Sequence, residues 1–431
     1  MIKIIGGGLA GVEAAYQLLK RGVAVTLYEM RPNVMTPAHK TDRLAELVCS
    51  NSLKSDIVET ASGLLKEEMR SIGSLTIEAA MNSQVPAGSA LAVDKDLFSD
   101  YIEKKLMSYA NLTIIREEIT DIDVNEDIII ASGPLTSEKL AKKISELTGN
   151  ENLHFYDAVA PTMTFESIDM NIAFFAARYN KGTDDYINCP MTKDEYDIFY
   201  NELIKAECVE VKDFDKGAVF EGCMPIEIMA KRGYDAIRFG PLRPVGILHP
   251  VTNNKYFAVV QLRKENKTGT IYNMVGFQTH LLFSEQKRVF SLIPGLSSSE
   301  FVRLGVMHRN TFINSPKVLD SSFRLKGTNV FFAGQITGVE GYVESAMSGM
   351  LAGINIYRKI NNKSVLIPSE YTITGALSRH ISTENNNFQP MNANFGILPG
   401  LCVRGKTERK KEYSIRALSS LKDYLKEIDN L

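Results

Sequence analysis

The chain has 431 residues, of which 44% are hydrophobic and 23% are charged, and its formal net charge is −2. This length is too great for one ordinary core and predicts two domains, while the composition is typical of a globular protein. No apolar run is long enough to span a bilayer, and the first motif begins too close to Met1 for a signal peptide. We therefore expect a cytoplasmic protein with no membrane partner. The near-neutral charge neither supports nor excludes a nucleic-acid partner.

The cysteine pattern excludes several classes of protein. There are five cysteines, an odd number, and no two are spaced as in a CxxC motif: Cys49, Cys189, Cys208, Cys223 and Cys402. This pattern argues against a disulfide scaffold, a zinc site and a thioredoxin-type redox pair. We therefore expect no metal.

A glycine-rich turn follows the first apolar run of the chain. Residues 2–5 predict a strand and residues 12–19 predict a helix, and the turn between them consists of Gly6, Gly7, Gly8, Leu9, Ala10 and Gly11. In such a motif the first glycine permits the tight turn, the second lets the backbone approach a pyrophosphate, and the third lets the helix pack on the strand. The helix N-terminus also offers free N–H groups and a partial positive charge to that pyrophosphate.

A second strand-like run, residues 23–28, ends at Glu29. A carboxylate at this point can accept a hydrogen bond from a ribose hydroxyl and would repel a 2′-phosphate. The strand, turn, helix and acid occur together in order, which favours dinucleotide binding over a glycine turn that merely packs.

Further elements follow up to residue 150. Residues 61–69 predict a helix, and Asp94 predicts the N-cap of a helix that extends to about Met107. One face of this second helix is predicted to carry Leu97, Phe98, Ile102 and Leu106.

Strand-like runs at 112–116 and 127–131 come next, and the second ends in Ser132-Gly133-Pro134. A turn of this kind commonly lies beside a nucleotide at the end of a buried strand. We therefore interpret residues 1–150 as the first part of an FAD-binding domain.

The composition and the hydrophobic pattern of the sequence change at about residue 151. Aromatic residues, loops and an alternating pattern at 256–262 predict an inserted domain over residues 151–315. Residues 316–431 again resemble the first part of the chain, with a short strand that ends at Gly334 and Gln335. We interpret them as the C-terminal return of the FAD-binding domain.

Gly341 and Tyr342 then open a helix over 343–353. Its small residues would let it lie close against a sheet or a flavin: Ser345, Ala346, Gly349, Ala352 and Gly353. The alternative is a packed helix in an unrelated domain.

Several longer blocks make the sequence resemble a known family. They include residues 36–39, 46–53, 186–191, 220–225, 238–242, 273–279, 307–311, 334–342 and 389–396. Together they are similar to the folate- and FAD-dependent RNA uracil-5-methyltransferases (the TrmFO family), relatives of the tRNA-modifying flavoprotein GidA. The resemblance covers nearly the whole chain. It implies an α/β fold, with a glutathione-reductase-like FAD-binding Rossmann domain and an inserted α+β domain.

The resemblance also implies a reaction. A one-carbon unit moves from 5,10-methylenetetrahydrofolate to carbon 5 of a uridine, with FAD as the intermediary and NADH or NADPH as the final reductant. The substrate is RNA, either the T-loop uridine of tRNA or, as an alternative, a uridine of 23S ribosomal RNA. Gly334, Gln335, Gly341 and Tyr342 join the first glycine motif and Glu29 as expected FAD-binding residues.

Carbon 5 of uracil is a poor nucleophile until a nucleophile adds at carbon 6, and a cysteine thiolate suits that addition. With the resemblance, we assign Cys223 to the attack on carbon 6. Cys49 is placed near the flavin, where it would protect or help release the one-carbon group, although the two roles are exchangeable. Cys189 is interpreted as structural or pocket-lining, and Cys208 and Cys402 as packing residues.

Other roles stay open between several residues. The candidate general bases are Glu221, Glu340, Glu344 and His308, and the candidate arginines for the folate carboxylate are Arg238, Arg263 and Arg309. His39 and His280 are interpreted as structural. The expected phosphate contacts are Lys287, Arg288, the arginines between 303 and 309, Arg404, Lys406, Arg409, Lys410, Lys411 and Arg416.

Two further hypotheses concern function. A GidA-type flavoprotein that modifies the wobble uridine would be longer, with an extra helical domain. A flavin-binding RNA-interaction protein without methyl transfer would not need Cys49 and Cys223.

Overall fold

The computed structural model describes residues 1–150, 153–180, 183–209, 224–386 and 388–429. Within these ranges, no helix combines the length and the apolar character that crossing a membrane requires.

The first part of the chain begins with the predicted strand, turn and helix. Its strands are β1 (Ile2–Ile5), β2 (Val25–Tyr28), β3 (Ser52–Ser55), β4 (Gln84–Val85), β5 (Ala90–Val93), β6 (Leu112–Ile115) and β7 (Ile128–Ile130). Its helices are α1 (Leu9–Leu19), α2 (Ala61–Ile72), α3 (Leu75–Asn82), α4 (Lys95–Met107) and α5 (Glu138–Thr148). Four strands form a parallel ladder in the order β7-β1-β2-β6.

Strand β1 occupies the point where the strand order reverses. It pairs with β2 on one side and with β7 on the other. The chain therefore extends the sheet from β1 in both directions. A crevice forms at the carboxyl end of the strands at such a switch point, and ligands of open α/β sheets bind there. The glycine turn lies at this edge.

Helix α4 begins where the sequence predicts. The Asp94 carboxylate accepts hydrogen bonds from the backbone N–H groups of Asp96 and Leu97, as an N-cap residue does. Phe98, Ile102 and Leu106 are buried as predicted, but Leu97 is 42% exposed. The prediction for Leu97 was wrong because this residue lies on the solvent side of the first turn.

A small antiparallel sheet was missed by the sequence analysis. It has the strand order β3-β5-β4 and lies between Ser52 and Val93, where the sequence analysis predicts only the helix over residues 61–69. Its strands are two to four residues long, too short for a clear alternating pattern.

The middle of the chain contains two antiparallel sheets, one of six strands and one of two. Its strands are β8 (Leu153–Ala158), β9 (Thr162–Thr164), β10 (Phe174–Phe175), β11 (Tyr186–Met191), β12 (Ala258–Lys264), β13 (Ile271–Met274), β14 (Phe301–Arg303) and β15 (Met307–Phe312). Its helices are α6 (Lys193–Lys205), α7 (Ile226–Lys231), α8 (Tyr234–Phe239) and α9 (Phe283–Phe290). Six strands stand in the order β10-β11-β12-β13-β9-β14, while β8 and β15 pair with each other where the chain enters and leaves this region.

The chain then returns to the parallel sheet. The last elements are α10 (Ser315–Val318), β16 (Val330–Phe332), α11 (Tyr342–Ile360), α12 (Ile373–His380) and α13 (Lys406–Asp429), and β16 pairs in parallel with β7. Helix α11 packs most closely against helix α1. A Cβ at Gly349 would lie 2.0 Å from the Ala10 carbonyl oxygen, and one at Gly353 would lie 2.8 Å from that of Ala14. The small residues therefore serve close contact between two helices.

Two large clusters of apolar side chains form the core. One joins side chains from residues 2–144 with side chains from residues 312–428, and the other lies between residues 160 and 296. The fold is an FAD-type Rossmann architecture with an inserted α+β region, as expected. The domain boundaries 1–150, 151–315 and 316–431 stay a prediction.

Candidate active site

The glycine turn after β1 leaves open space in front of helix α1. Gly6 has φ of +108°, and a Cβ at Gly11 would lie 1.8 Å from the Gly6 carbonyl oxygen, so these two positions need glycine for the turn and for close packing. A Cβ at Gly8 would meet no atom within 4 Å. Gly8 is the N-cap residue of α1, and the unpaired N–H groups of the first turn lie beside this space.

A cavity lies at this position, and the space in it amounts to about 980 Å³ when the part open to solvent is included. Nine of the eleven expected FAD-binding residues line it: Gly6, Gly7, Gly8, Leu9, Ala10, Glu29, Gly334, Gln335 and Tyr342. Gly11 packs behind the turn instead, and Gly341 is the N-cap residue of α11, directly before Tyr342. Ser132, Gly133 and Pro134 also line the cavity, at the end of β7 as the sequence predicts.

Glu29 lies at the end of β2 in a dense hydrogen-bond network. It accepts hydrogen bonds from the Gly7 backbone N–H at 3.0 Å and from the Arg31 Nε at 2.9 Å. Burial raises the pKa of Glu29, but the hydrogen bond and charge of Arg31 outweigh it and lower the pKa below its ordinary value. Glu29 is therefore held as a carboxylate at the wall of the cavity.

Sequence reasoning missed several residues that line the same cavity. Arg31 is 2% exposed and joins Glu29 to Glu46, whose carboxylate accepts a hydrogen bond from Arg31 Nη1 at 3.0 Å. His39 also lines the cavity, and its Nδ1 lies 2.6 Å from the Thr36 hydroxyl. The signal for His39 was present, since residues 36–39 form one of the blocks that carry the family resemblance.

Cys49 lies next to the cavity through Tyr342. The Tyr342 hydroxyl accepts hydrogen bonds from the backbone N–H groups of Cys49, at 2.7 Å, and of Ser50, at 3.2 Å. Val48 lines the cavity, and its carbonyl oxygen accepts a hydrogen bond from Arg303 at 2.8 Å. The loop that carries Cys49 is thus fastened to helix α11 and to strand β14.

The remaining cysteines differ in their surroundings. Cys223 lies outside the described residues. Cys189 is buried in β11, and burial raises the pKa of its thiol to about 12, which fits a structural role. Cys402 is exposed, so its interpretation as a packing residue was wrong. Cys208 packs against the core of the inserted region as predicted and also lies beside His280 and Glu227.

Two of the four candidate general bases have described side chains. Glu340 accepts a hydrogen bond from Gln335, a cavity residue. Glu344 is 1% exposed, accepts hydrogen bonds from Lys54 and from the backbone N–H of Ala393, and does not line the cavity. Glu221 and the side chain of His308 lie outside the described part of the chain.

The candidate arginines do not meet at the cavity. Arg238 donates to the Phe257 carbonyl oxygen and lies over the Phe257 ring, and Arg263 donates to the Asn51 side chain in a buried position. Arg309 is exposed on β15.

His280 is held by Glu227 and Cys208. Burial lowers the pKa of His280, but its contacts with these two residues outweigh burial and raise the pKa to about 9. The two neighbours therefore fix the position of the His280 ring in the inserted region.

Comparisons with known proteins agree with this geometry. A family model described as glucose inhibited division protein A matches residues 1–364. A protein of Acetivibrio thermocellus named methylenetetrahydrofolate–tRNA-(uracil-5-)-methyltransferase TrmFO is 56% identical over 428 residues, covering 98% of each chain. A protein of Aquifex aeolicus with the same name is 55% identical over 427 residues, covering 98% of this chain and 96% of its own.

A solved structure is also similar. Aquifex aeolicus GidA superimposes with a TM-score of 0.71 at 15% identity, covering 98% of this chain and 73% of that chain, which supports the fold alone. The family match and the near full-length relatives lead to one conclusion: the chain belongs to the GidA family of proteins, described as glucose inhibited division protein A.

Proposed function

We propose that this protein methylates carbon 5 of a uridine in tRNA, with 5,10-methylenetetrahydrofolate as the carbon donor. One observation carries the proposal: relatives with this named activity are about 55% identical over nearly the full length of both chains. The relatives' names specify tRNA, which favours tRNA over ribosomal RNA. With tRNA as the substrate, we expect the reaction to take place in the cytoplasm.

The cavity fits FAD on the evidence of its open glycine surface. The space in front of Gly8 and the N-terminus of α1 suit a pyrophosphate, and the Glu29 carboxylate suits a ribose hydroxyl. Gly334, Gln335 and Tyr342 line the same cavity and would also contact the cofactor. When bound, FAD supplies the two-electron redox chemistry that turns a methylene unit into a methyl group. The residues of the chain bind and orient it.

The activation of uracil is assigned to cysteine. A thiolate adds to carbon 6 and forms a C–S bond, carbon 5 becomes nucleophilic, and the C–S bond breaks again after carbon 5 loses its proton. We assign this addition to Cys223 by resemblance, and a position beside the flavin to Cys49. The contact between Tyr342 and the Cys49 backbone supports the second assignment, since Tyr342 also lines the cavity.

The net reaction balances with a nicotinamide cofactor as the reductant. Uridine, methylenetetrahydrofolate, NADH or NADPH, and one proton give 5-methyluridine, tetrahydrofolate and the oxidised nicotinamide cofactor. Carbon 5 must be accessible to the donor, so the target base has to leave its stack in the folded RNA.

Phosphate contacts fit best at the start of helix α13. Among the expected residues, Arg288 pairs with Glu202 and Glu285, and Arg416 stacks on Tyr371 and Tyr413. The basic group at the start of α13 consists of the exposed residues Arg404, Lys406, Arg409 and Lys411. Within the described part of the chain, these four side chains form no ion pair. Because cations near a helix N-terminus are electrostatically unfavourable, an external anion would relieve this arrangement.

A single-turnover assay tests the proposal. The full chain is mixed with an unmodified tRNA transcript or a 23S rRNA fragment, methylenetetrahydrofolate and NADH or NADPH, and 5-methyluridine is measured by mass spectrometry. We expect product on tRNA, and loss of product in Cys223→Ala but not in the control Cys402→Ala. Product on ribosomal RNA alone would change the target, and no product on either RNA from a flavin-containing protein would overturn the proposal.

A further inference from the structure

Three potential metal ligands meet in the inserted region, away from the cavity. The ligand atoms of Cys208, Glu227 and His280 all lie within 4.8 Å of one another. None of the three lines the cavity beside β1. They come from three chain segments, so no spacing motif in the sequence reveals them.

Backbone hydrogen bonds hold these segments together. The segment 278–282 is the common support: the Val209 N–H donates to the His280 carbonyl oxygen at 2.9 Å, and the Leu282 N–H donates to that of Glu207 at 3.0 Å. On the other side, the Ile226 N–H donates to the Gln278 carbonyl oxygen at 2.8 Å and starts helix α7, which carries Glu227. The cluster is therefore preorganised by the backbone.

Glu227 is oriented by further hydrogen bonds. It is fully buried, its Oε2 accepts from the Thr279 hydroxyl at 2.8 Å, and its Oε1 accepts from the His280 backbone N–H at 3.0 Å. Its Oε1 also contacts His280 Nδ1. A carboxylate that binds a metal ion is typically oriented by hydrogen bonds of this kind from the residues around it.

The cluster remains accessible from one side. Cys208 is half-buried, and the His280 side chain is 11% exposed. A cation can therefore reach the ligands without disruption of the core.

We propose that Cys208, Glu227 and His280 bind one Zn²⁺ ion. Thiolate, imidazole and carboxylate are the ligands that Zn²⁺ takes in proteins, and the two anionic ligands would balance its charge. Three protein ligands leave the fourth tetrahedral position to water. In the sequence, Cys208 and Glu227 stand on either side of Cys223, so this site would fix the chain before and after the residue assigned to attack uracil.

X-ray absorption and zinc titration test the site. The purified full chain is stripped with a chelator, loaded with ZnCl₂ and desalted, and zinc is counted by mass spectrometry. We expect one Zn²⁺ per chain, with one sulfur neighbour at about 2.3 Å and nitrogen or oxygen neighbours at about 2.0–2.2 Å. Cys208→Ser should lose this ion, while the matched control Cys402→Ser should keep it.

A milder variant separates coordination from folding. Thr279→Val removes a hydroxyl that orients Glu227 but no ligand, and we expect Zn²⁺ to bind about 10-fold or more weakly. The same zinc content in the wild type and Cys208→Ser, or a spectrum of the wild type without a sulfur neighbour, would overturn the proposal. Neither readout depends on methylation, so the site and the proposed activity can fail separately.

Discussion

The cavity beside β1 and the cluster of Cys208, Glu227 and His280 differ in the groups that form them. The part of the cavity wall that the sequence motifs predict is backbone: glycines, a helix N-terminus and the ends of parallel strands. The cluster consists of side chains that three distant segments bring together. A backbone surface depends on the residue type at consecutive positions, so it leaves a local signature, whereas a side-chain cluster depends on long-range packing and leaves none.

Substitution of the glycines in the first turn gives the sharpest test of this comparison. In Gly11→Ala the new Cβ would collide with the Gly6 carbonyl oxygen, and we expect a loss of about 3 kcal/mol or more in the free energy of unfolding. In Gly8→Ala the Cβ points into open space, so the stability should change by less than about 1 kcal/mol. Urea denaturation measures both values.

The two glycine variants should also differ in flavin content. If the proposed function holds, Gly8→Ala folds but retains less flavin after purification, as measured by absorbance. Full flavin content in Gly8→Ala would show that the surface in front of Gly8 is not the binding surface.

Glu68 is a buried carboxyl group on helix α2, in the same part of the chain as the cavity but not in its lining. It is fully buried and accepts hydrogen bonds from the N–H groups of Ile373 and Thr374 at the start of α12. Burial raises the pKa of Glu68 to about 7 from the ordinary 4.5, although the hydrogen bonds from Thr374 and Ile373 lower it. Arg31 lowers the pKa of Glu29, whereas burial dominates at Glu68, so the pKa values of the two carboxyl groups shift in opposite directions.

The raised pKa of Glu68 makes stability fall with increasing pH. The folded state holds the proton up to about pH 7, while the unfolded chain releases it near pH 4.5, so stability from this group is lost between these two values. We expect a loss of about 3 kcal/mol across this window in the wild type. The loss should disappear in Glu68→Gln and persist in the control Glu59→Gln, which changes an exposed carboxylate. Urea denaturation at pH 5 and pH 7.5 measures it, and an equal slope in Glu68→Gln would contradict the assignment.

The basic residues at the start of α13 extend the comparison to the surface. In the proposed complex, Arg404, Lys406 and Arg409 contact phosphates of the tRNA. Each phosphate contact contributes about 0.7–0.9 to the slope of log K for tRNA binding against log salt concentration. Replacement of the three residues by glutamine should therefore reduce the magnitude of this slope by about 2–3. Lys422→Gln combined with Lys426→Gln is the control, about 24 Å further along the same helix. An equal reduction in both variants would show that charge acts through the overall field instead of local contacts.

The sequence predicts the parts of the molecule that depend on local pattern. The turn at residues 6–11, the end of β2 at Glu29 and the N-cap at Asp94 all follow from residue types at neighbouring positions. Contacts between elements that are distant in the sequence cannot be predicted in this way. The small residues of α11 predict a close contact, but nothing local shows that the contact is with α1, and the phase of α4 at Leu97 depends on where the neighbouring core ends.

Long-range contacts around the cavity could not be predicted from the sequence either. The glycines of the cavity are predictable, but the bridge from Arg31 to Glu46 joins residues 15 positions apart in a loop without regular pattern. The position of Cys49 depends on Tyr342, which is 293 residues away in the sequence.

Tyr342 tests whether a long-range side-chain contact matters at the edge of the cavity. Tyr342→Phe removes the hydroxyl that accepts from Cys49 and Ser50, and water can replace part of this interaction at a half-buried position. We expect a loss of about 1 kcal/mol in the free energy of unfolding. The loop should open more often, so iodoacetamide should label the Cys49 peptide several-fold faster, as followed by mass spectrometry. Tyr357→Phe on the same helix should leave the labelling rate unchanged. If Tyr342→Phe also leaves it unchanged, the loop is held without this hydroxyl, and Arg303 with its bond to Val48 becomes the residue that fixes Cys49.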